Sequence, residues 1–511
     1  MEVDVTRLER GAAIGPHSRA RAWLLRHRTG LDSSSLLCLW WCTALLAHYD
    51  GRMHWFVNPV ITLSVVASAL AMLVARSPVV ILLVAGLQLG AMWSLMPSVD
   101  NHWLFSGFVD LALIGATATW MVSKRRRGDR ADLLDDDWYR LSAPVVRLLV
   151  LVMYGFAVFH KLNAGFLDPA ESCAVHLYQR MTHSPLVPFD GGALSQAERH
   201  AIIAAVLGVE AAIPLLLAGR RTWFAGIAVG VAFHLSTGVF MRHYPSIMLA
   251  LYWVFVPMSV QRRCVAVIEG WIRGATRARL GYVALVAGQS LLLSVATMVA
   301  CGVLEARGLS RMAPTSPIWW VLRAWNGLVI AGAVAALVAF VRVGGADPHP
   351  RRRFHPPARW LHAIVLVFAI NCLSPHLGLK TATSINMWSN LVVTGTDEGN
   401  HLLLPADSIR VFDYTSDVVR VVSSTDRELG LMARSRDLVP WLMFRREVGR
   451  AVARARALDR AVAVSYVRRG ERIDVSDATG EPLLADPGSY LERKIVKVKP
   501  ALARRPARCS L

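Results

Sequence analysis

The chain has 511 residues, of which 54% are hydrophobic and only 18% are charged. A water-soluble globular protein carries about 25% charged residues, so the composition argues against an ordinary soluble enzyme and indicates a membrane protein. The formal net charge is +20. Most of this charge lies in short loops between apolar segments, which is typical of membrane topology and argues against a nucleic-acid partner.

Apolar segments long enough to cross a bilayer recur along the first three quarters of the chain. Residues 1–30 are charged and lack the apolar core of a signal peptide, so we expect the chain to insert through its own helices. We predict about nine to eleven transmembrane helices, with one or two candidates re-entrant or interfacial. The candidates are Ser33–Tyr49, Val57–Ala75, Pro78–Met96, Trp103–Ser123, Ala143–His160, His200–Ala218, Thr222–Met241, Tyr244–Val260, Tyr282–Val303, Trp319–Val341 and Arg359–Pro375.

Lysine and arginine are distributed unevenly between the two sets of loops. The loops on the side of the N-terminus contain about 25 of them, and the opposite loops about 7 over a similar length. Because short cytoplasmic loops carry the excess of these residues, we predict a cytoplasmic N-terminus. With eleven spans the C-terminal region is then outside, and the protein is a multi-pass protein of the cell membrane.

The composition divides the chain into three parts. Residues 1–30 form a cytoplasmic segment, residues 31–378 a transmembrane domain, and residues 379–511 a soluble-like domain. The predicted fold class is therefore an all-α multi-pass integral membrane bundle with a small α+β C-terminal extramembrane domain.

Alternating and helical patterns are both present in the last part of the chain. The segments "SIRVFDY" (408–414) and "VVRVVSS" (418–424) alternate with the period of a strand, and a later segment predicts a hairpin that turns at Arg469-Gly470. Between them lies a predicted helix that either packs on the small domain or lies on a membrane surface. Its apolar stripe runs through Trp441, Phe444 and Val448.

Metal and disulfide chemistry cannot be read from the sequence. The seven cysteines are scattered without a Cys-x-x-Cys pair, so they define neither a zinc site nor a disulfide framework. The sequence has no HExxH, P-loop or GxGxxG motif, and His234 and His243 have no further ligand between them. We therefore predict no metal cofactor.

Several polar side chains lie in apolar segments, where a charge costs about 2.5–3.5 kcal/mol or more. Lys161 ends the fifth predicted span, in "VMYGFAVFHKLNAGFL". Either its stem lies in lipid while its ammonium group reaches water, or its amine lies in an apolar pocket, unprotonated and able to act as a base. Several such groups in one bundle favour a functional site. The others are Asn101, His102, Arg147, Tyr154, Glu210 and His234.

The segment from Arg147 to Phe166 resembles the signature of vitamin K-dependent gamma-carboxylases and their bacterial relatives, the horizontally transferred transmembrane (HTTM) domain proteins. In that family an arginine precedes a tyrosine by seven residues, and a lysine-leucine pair follows on the same helix, as Lys161-Leu162 does here. Further segments are similar to family segments in the same order, and the resemblance covers roughly residues 30–425. These segments are "NHWLF", "THSPLVPF", "FHLSTGVFMRHYPSIMLA", "LSPHLGLKTATSINMWSNL" and "GNHLLLP".

The resemblance implies a specific reaction. In the family a lysine deprotonates vitamin K hydroquinone, to which oxygen then adds. The resulting strongly basic alkoxide removes a γ-proton from a glutamate, and the glutamate captures carbon dioxide. The quinone leaves as an epoxide. Lys161 matches this base and His102 matches a histidine that stabilises the hydroquinone, so these are the predicted catalytic residues. The implied cofactor is a reduced quinone, vitamin K or menaquinone hydroquinone, with O2 and CO2, and the implied partners are membrane lipid and a protein substrate on the outer side. The predicted substrate-binding residues are Asn101, Arg147, Tyr154, His160, His234 and Glu210.

The chain departs from the family pattern at three positions and in its C-terminal domain. His160 replaces a second lysine, Asn163 an acidic residue and Phe166 a tryptophan. The C-terminal domain is also smaller than the carboxylases' substrate-gripping domain, so quinol epoxidation is expected with or without glutamate carboxylation. The alternative function is a non-catalytic membrane protein that binds or moves a lipid or isoprenoid and does not need Lys161. A secondary transporter ranks lower, because no internal repeat is visible.

Overall fold

The computed structural model describes most of the predicted helical domain and of the C-terminal domain. The two predicted spans at 282–303 and 319–341 lie outside the described residues, as do most of the first two spans. The described residues are 77–182, 193–241, 244–263, 354–395, 399–405, 407–435 and 437–498, with isolated positions between 34 and 67.

Helices form the first part of the described chain, as the apolar segments predict. They are α1 (Pro78–Leu95), α2 (Asn101–Arg126), α3 (Asp136–Phe159), α4 (Ala164–Leu167), α5 (Cys173–Thr182), α6 (Gln196–Ala218), α7 (Trp223–Met241), α8 (Tyr244–Tyr252) and α9 (His362–Leu373). Four of them, α1, α2, α3 and α6, are long and apolar enough to cross a membrane. Two shorter apolar helices, α7 and α9, accompany them.

Helix α3 is the central element of the bundle, since it packs against α2, α6 and α9. Asp135 caps its N-terminus, and the Asp135 side chain accepts hydrogen bonds from two backbone N–H groups of the first turn. Asp136 and Asp137 add negative charge at the positive end of the helix dipole. The helix ends at Phe159, immediately before His160 and Lys161, so the polar residues of the predicted site follow its last turn.

The C-terminal domain is a four-stranded antiparallel sheet with helices, as predicted for an α+β fold. The strand order is β2-β1-β3-β4. Its elements are β1 (Val418–Ser424), α10 (Arg427–Ser435), β2 (Leu438–Pro440), α11 (Trp441–Arg456), β3 (Val464–Arg468), β4 (Glu471–Val475) and α12 (Tyr490–Ile495).

Two of the local predictions for this domain are confirmed. The β3–β4 hairpin turns at Arg469 and Gly470, which have φ values of 53° and 83°. Two successive positive φ angles match the twist of a hairpin. Phe444 and Val448 belong to the buried cluster that includes sheet residues, so helix α11 packs on the sheet.

The prediction of a strand at 408–414 is wrong. The backbone N–H groups of Val411 and Phe412 both donate to the carbonyl of Leu377, at 3.0 and 2.9 Å. Their hydrogen bonds therefore hold the segment against the end of the bundle and not in a strand ladder. Alternation predicts a strand only where a neighbouring strand can pair with it.

The C-terminal domain and the bundle meet at one end of the long helices. The indole Nε1 of Trp93, in the last turn of α1, donates to the hydroxyl of Tyr490 at 3.1 Å. Lys494 Nζ donates to the carbonyls of Trp93 and Ser94 at 3.1 Å. The ion pair of Lys124 with Asp135, 2.8 Å, lies at the opposite end, where α2 ends and α3 begins.

Candidate functional site

A cavity of about 280 Å³ lies between α2, α3, α5, α6 and α7. Its wall is mainly apolar and includes Phe105, Met153, Val206 and Phe233. Five of the eight predicted site residues also line it, and they come from four different helix regions. These five are His102, Tyr154, Lys161, Glu210 and His234.

The centre of the site is an ion pair between Lys161 and Glu210. The Nζ atom lies 2.7 Å from Oε2, and the two side chains are only 7% and 11% exposed. Lys161 Nζ also donates to the carbonyl of Ala157 at 3.3 Å, so the side chain folds back along α3. The ammonium group therefore faces the cavity. A buried charge costs several kcal/mol unless it is paired, and each member of this pair compensates the other.

A second polar group is formed by Tyr154 and His234, which line the cavity, together with Tyr252. The Tyr154 hydroxyl lies 2.5 Å from His234 Nε2 and 2.5 Å from the Tyr252 hydroxyl. Gly230 makes this arrangement possible, because a Cβ atom there would lie 2.2 Å from the Tyr252 hydroxyl. Tyr154 and Lys161 both line the cavity, although Lys161 lies just beyond the last helical residue, Phe159. The three groups form a hydrogen-bonded chain that can donate to or accept from a ligand.

His102 lies in the first turn of α2 and lines the cavity. Its Nε2 atom is 3.8 Å from the Asp100 carboxylate, and its side chain is 15% exposed. This position gives the cavity a third polar group, which can donate a hydrogen bond to a ligand oxygen.

Residues 381–390 form one wall of the cavity, which the sequence did not predict. Ile385, Met387 and Trp388 line it. Four non-glycine residues in this loop have φ values between 55° and 59°, in the left-handed region. Such conformations cost about 1–3 kcal/mol each, persist only where the surroundings impose them, and cluster at functional sites. They are Thr383, Ile385, Trp388 and Asn390.

Polar side chains from the bundle hold this loop in place. Asn101 Oδ1 accepts a hydrogen bond from the Ile385 N–H at 2.7 Å. His160 Nδ1 lies 3.2 Å from the Ile385 carbonyl, and Asn163 Nδ2 donates to the Ser389 carbonyl at 2.5 Å. Asn101 and His160, two predicted substrate-binding residues, therefore lie behind the loop and position the cavity wall.

Arg147 also lies outside the cavity lining. Its Nε atom donates to the carbonyl of Val254 at 2.5 Å, and its side chain is buried between helices. The arginine thus ties α3 to the segment that follows α8. Its position seven residues before Tyr154 serves helix packing in this structure.

Histidines and a lysine pack behind the loop, at the end of α9. His376 lies between His160 and His401, with ring centroids 5.7 and 4.8 Å away. Burial lowers the pKa of His376 to about 4 and lowers that of His401, so both are neutral at pH 7. Burial also lowers the pKa of Lys380 to about 8, and its Nζ donates to Thr383 Oγ1 at 3.0 Å. Within the described part of the chain, no group of three or more potential ligands could hold a metal ion.

The structure therefore separates the predicted residues into two groups. Five line the cavity, whereas Asn101, Arg147 and His160 support it. Tyr252, His376 and Lys380 were missed, although the polar run "LSPHLGLKTATSIN" after the last predicted span could have indicated the last two. No family model, curated protein or solved structure matches the chain. The resemblance to gamma-carboxylases thus rests on the sequence motifs alone.

Proposed function

We propose that this chain is a multi-pass membrane protein of the HTTM/gamma-carboxylase-like type that binds a quinol-type lipid in the cavity and removes a proton from it. The observation that carries the proposal is the Lys161–Glu210 pair, which is buried in an otherwise apolar cavity. Two ionisable groups are retained there at a cost of several kcal/mol each, and intramembrane ionisable groups mark functional sites.

The cavity suits an aromatic head group with oxygens. A cavity of about 150 Å³ lined by apolar side chains holds benzene, so about 280 Å³ accommodates a bicyclic ring. Helix α6 forms one wall, and only 22% of the residues in its apolar 18-residue stretch are buried in the protein. An isoprenoid tail can therefore leave the cavity beside a helix whose other side faces lipid.

The side chains around the cavity have distinct roles in this proposal. Glu210 compensates the charge of Lys161, whose Nζ lies 2.7 Å from its carboxylate. In the proposed reaction the Lys161 amine accepts a proton from a ligand hydroxyl. Tyr154 and His102 donate hydrogen bonds that orient the ligand oxygens, and the loop 381–390 excludes water. A bound hydroquinone supplies the electrons for reduction of O2, with an epoxide and water as products.

The proposal includes the side of the membrane on which the site lies. The distribution of lysine and arginine favours an outer position for this end of the bundle, with the N-terminus in the cytoplasm. Oxygenation proceeds there with or without carboxylation of a glutamate in a protein substrate, which would also require CO2.

The alternative function is a non-catalytic protein that binds or moves a lipid or isoprenoid. One observation favours it: Lys161 and Glu210 neutralise each other. The cavity is then complete as a binding site, and no proton transfer is needed. Retention of lipid by a Lys161→Ala variant, together with unchanged function, would support this alternative.

The test uses purified protein in nanodiscs supplied with vitamin K hydroquinone or menaquinol and O2. Mass spectrometry measures the epoxide, and co-purification of the quinone measures binding separately. We expect epoxide from the wild type, none from Lys161→Ala, and wild-type amounts from Lys124→Ala, which changes a lysine at the opposite end. Absence of epoxide from folded wild type with both quinols would refute the oxygenase. Quinone binding without epoxide would favour the binding protein.

A further inference from the structure

Two groups of apolar side chains in the C-terminal segment are exposed at the end of the bundle that carries the cavity. Leu402 and Leu403 are 56% and 67% exposed. Tyr490 and Leu491, on helix α12, are 54% and 58% exposed. The two groups lie nearly ninety residues apart in the chain, yet both lie beside the ends of long apolar helices.

The first group lies at the height where α3 leaves the hydrocarbon. From Leu141 to Phe159 the helix rises about 28 Å, which is close to the hydrocarbon thickness of about 30 Å. The Leu402 N–H donates to the carbonyl of Leu162 at 2.9 Å, and His401 pairs with Asn163 in an antiparallel bridge. Leu402 is therefore attached within three residues of the helix end, at the boundary between acyl chains and head groups.

The second group is attached at the end of another long helix. Helix α1 has 18 residues and rises about 27 Å. Trp93, in its last turn, is 39% exposed, and its Nε1 atom donates to the Tyr490 hydroxyl. Tryptophan and tyrosine prefer this boundary because one end of each ring is polar and the other apolar.

We propose that the loop 400–404 and helix α12 form a lipid-contact surface, with Leu402, Leu403, Tyr490 and Leu491 inserted at the acyl–head-group boundary of the outer leaflet. The occupant is the phospholipid leaflet, because both groups are exposed and attached at the ends of helices that are long enough to span it. Insertion of apolar side chains to this depth is typical of interfacial segments. The C-terminal domain is thereby seated on the membrane.

The lipid-contact surface is coupled to the cavity. Asn400 Oδ1 accepts from the Val392 N–H at 2.7 Å, and the Asn400 carbonyl accepts from the Ala164 N–H at 2.9 Å. The loop 400–404 therefore joins the leaflet to the two segments that flank Lys161 and the loop 381–390. The proposal rests on insertion of the long helices into a membrane, and not on the chemistry proposed for the cavity.

The test measures membrane depth at single introduced cysteines. Leu402→Cys and Leu403→Cys are labelled with an environment-sensitive fluorophore in phosphatidylcholine nanodiscs, with wild type as the labelling blank. Quenching by lipids that carry a nitroxide on the acyl chain is compared with quenching by aqueous iodide. Leu83→Cys, 51% exposed on α1, is the lipid control. Leu458→Cys, 62% exposed beyond the far end of α11, is the aqueous control.

We expect blue-shifted emission and stronger quenching by the nitroxide lipid at residues 402, 403 and 83, and stronger quenching by iodide at residue 458. Iodide-dominated quenching at 402 and 403, with residue 83 in lipid, would overturn the proposal while membrane insertion stands. Protection of 402 and 403 from both quenchers would also overturn it, since a protein partner or a second copy would then cover the loop. Iodide-dominated quenching at residue 83 would refute membrane insertion and this proposal together.

Discussion

The pairing of Lys161 with Glu210 makes a quantitative prediction about stability. Removing one partner of a buried ion pair costs about 3–5 kcal/mol, because the other charge is left uncompensated. Lys161→Met and Glu210→Gln are therefore each expected to lose about 3–5 kcal/mol.

The double variant distinguishes pairing from two independent losses. Lys161→Met with Glu210→Gln removes both charges, so we expect it to be more stable than either single variant, with a coupling energy of at least about 2 kcal/mol. The assay is urea unfolding in detergent micelles followed by tryptophan fluorescence. Asp136→Asn is the control, since it breaks the more exposed pair with Arg262 and should cost at most about 1 kcal/mol.

If the double variant lost the sum of the stability losses of the two single variants, the two charges would not be paired. Losses no larger than that of Asp136→Asn would refute the buried pair as well, because the charges would then be solvated and the cavity open to water. Either result would also remove the observation that carries the proposed function.

Three further perturbations test the loop and its surroundings. Burial lowers the pKa of Lys380 from 10.5 to about 8, so between these pH values the unfolded chain binds more protons and stability rises with pH. Below pH 8 the buried Lys380 ammonium group therefore lowers the free energy of unfolding by about 3 kcal/mol. Urea unfolding from pH 7 to 10 should show the rise in stability in wild type and not in Lys380→Met. Equal dependence of stability on pH in the two proteins would contradict this assignment. Gly378 has φ +74°, and a Cβ there would lie 2.0 Å from a backbone oxygen, so Gly378→Ala should destabilise by more than about 2 kcal/mol. Gly470→Ala is the control, because Gly470 has φ +83° but open space around it, and it should cost about 1 kcal/mol in the same unfolding assay. Equal losses of stability in the two variants would show that the backbone near Gly378 moves to accept the added methyl group. Asn101→Ala leaves the Ile385 N–H without its acceptor, which costs about 1–3 kcal/mol; quinone titration by tryptophan quenching should show weaker binding, and unchanged affinity would exclude a positioning role.

Among the described residues, the sequence by itself determined the four long apolar helices and their approximate ends. The helix Gln196–Ala218 was predicted as His200–Ala218, because an apolar run forms helix through hydrogen bonds between neighbouring turns, without a partner elsewhere. The hairpin at Arg469-Gly470 was predictable because its two strands are neighbours in the chain and pair across one tight turn. Spacing also placed Arg147 and Tyr154 on one face of α3, since a helix repeats its direction about every seven residues.

Only the tertiary structure decided which polar groups meet. Glu210 is forty-nine residues from Lys161, and their contact at 2.7 Å exists because α6 packs on α3. The segment 408–414 alternates like a strand, but its N–H groups bond to Leu377. The loop 381–390 takes left-handed conformations that its residues do not favour, because Asn101, His160 and Asn163 from distant segments hold its backbone. Periodicity in the sequence predicts which face of one helix or strand is apolar. An ion pair or a strained loop depends on which side chains other segments of the chain place next to it.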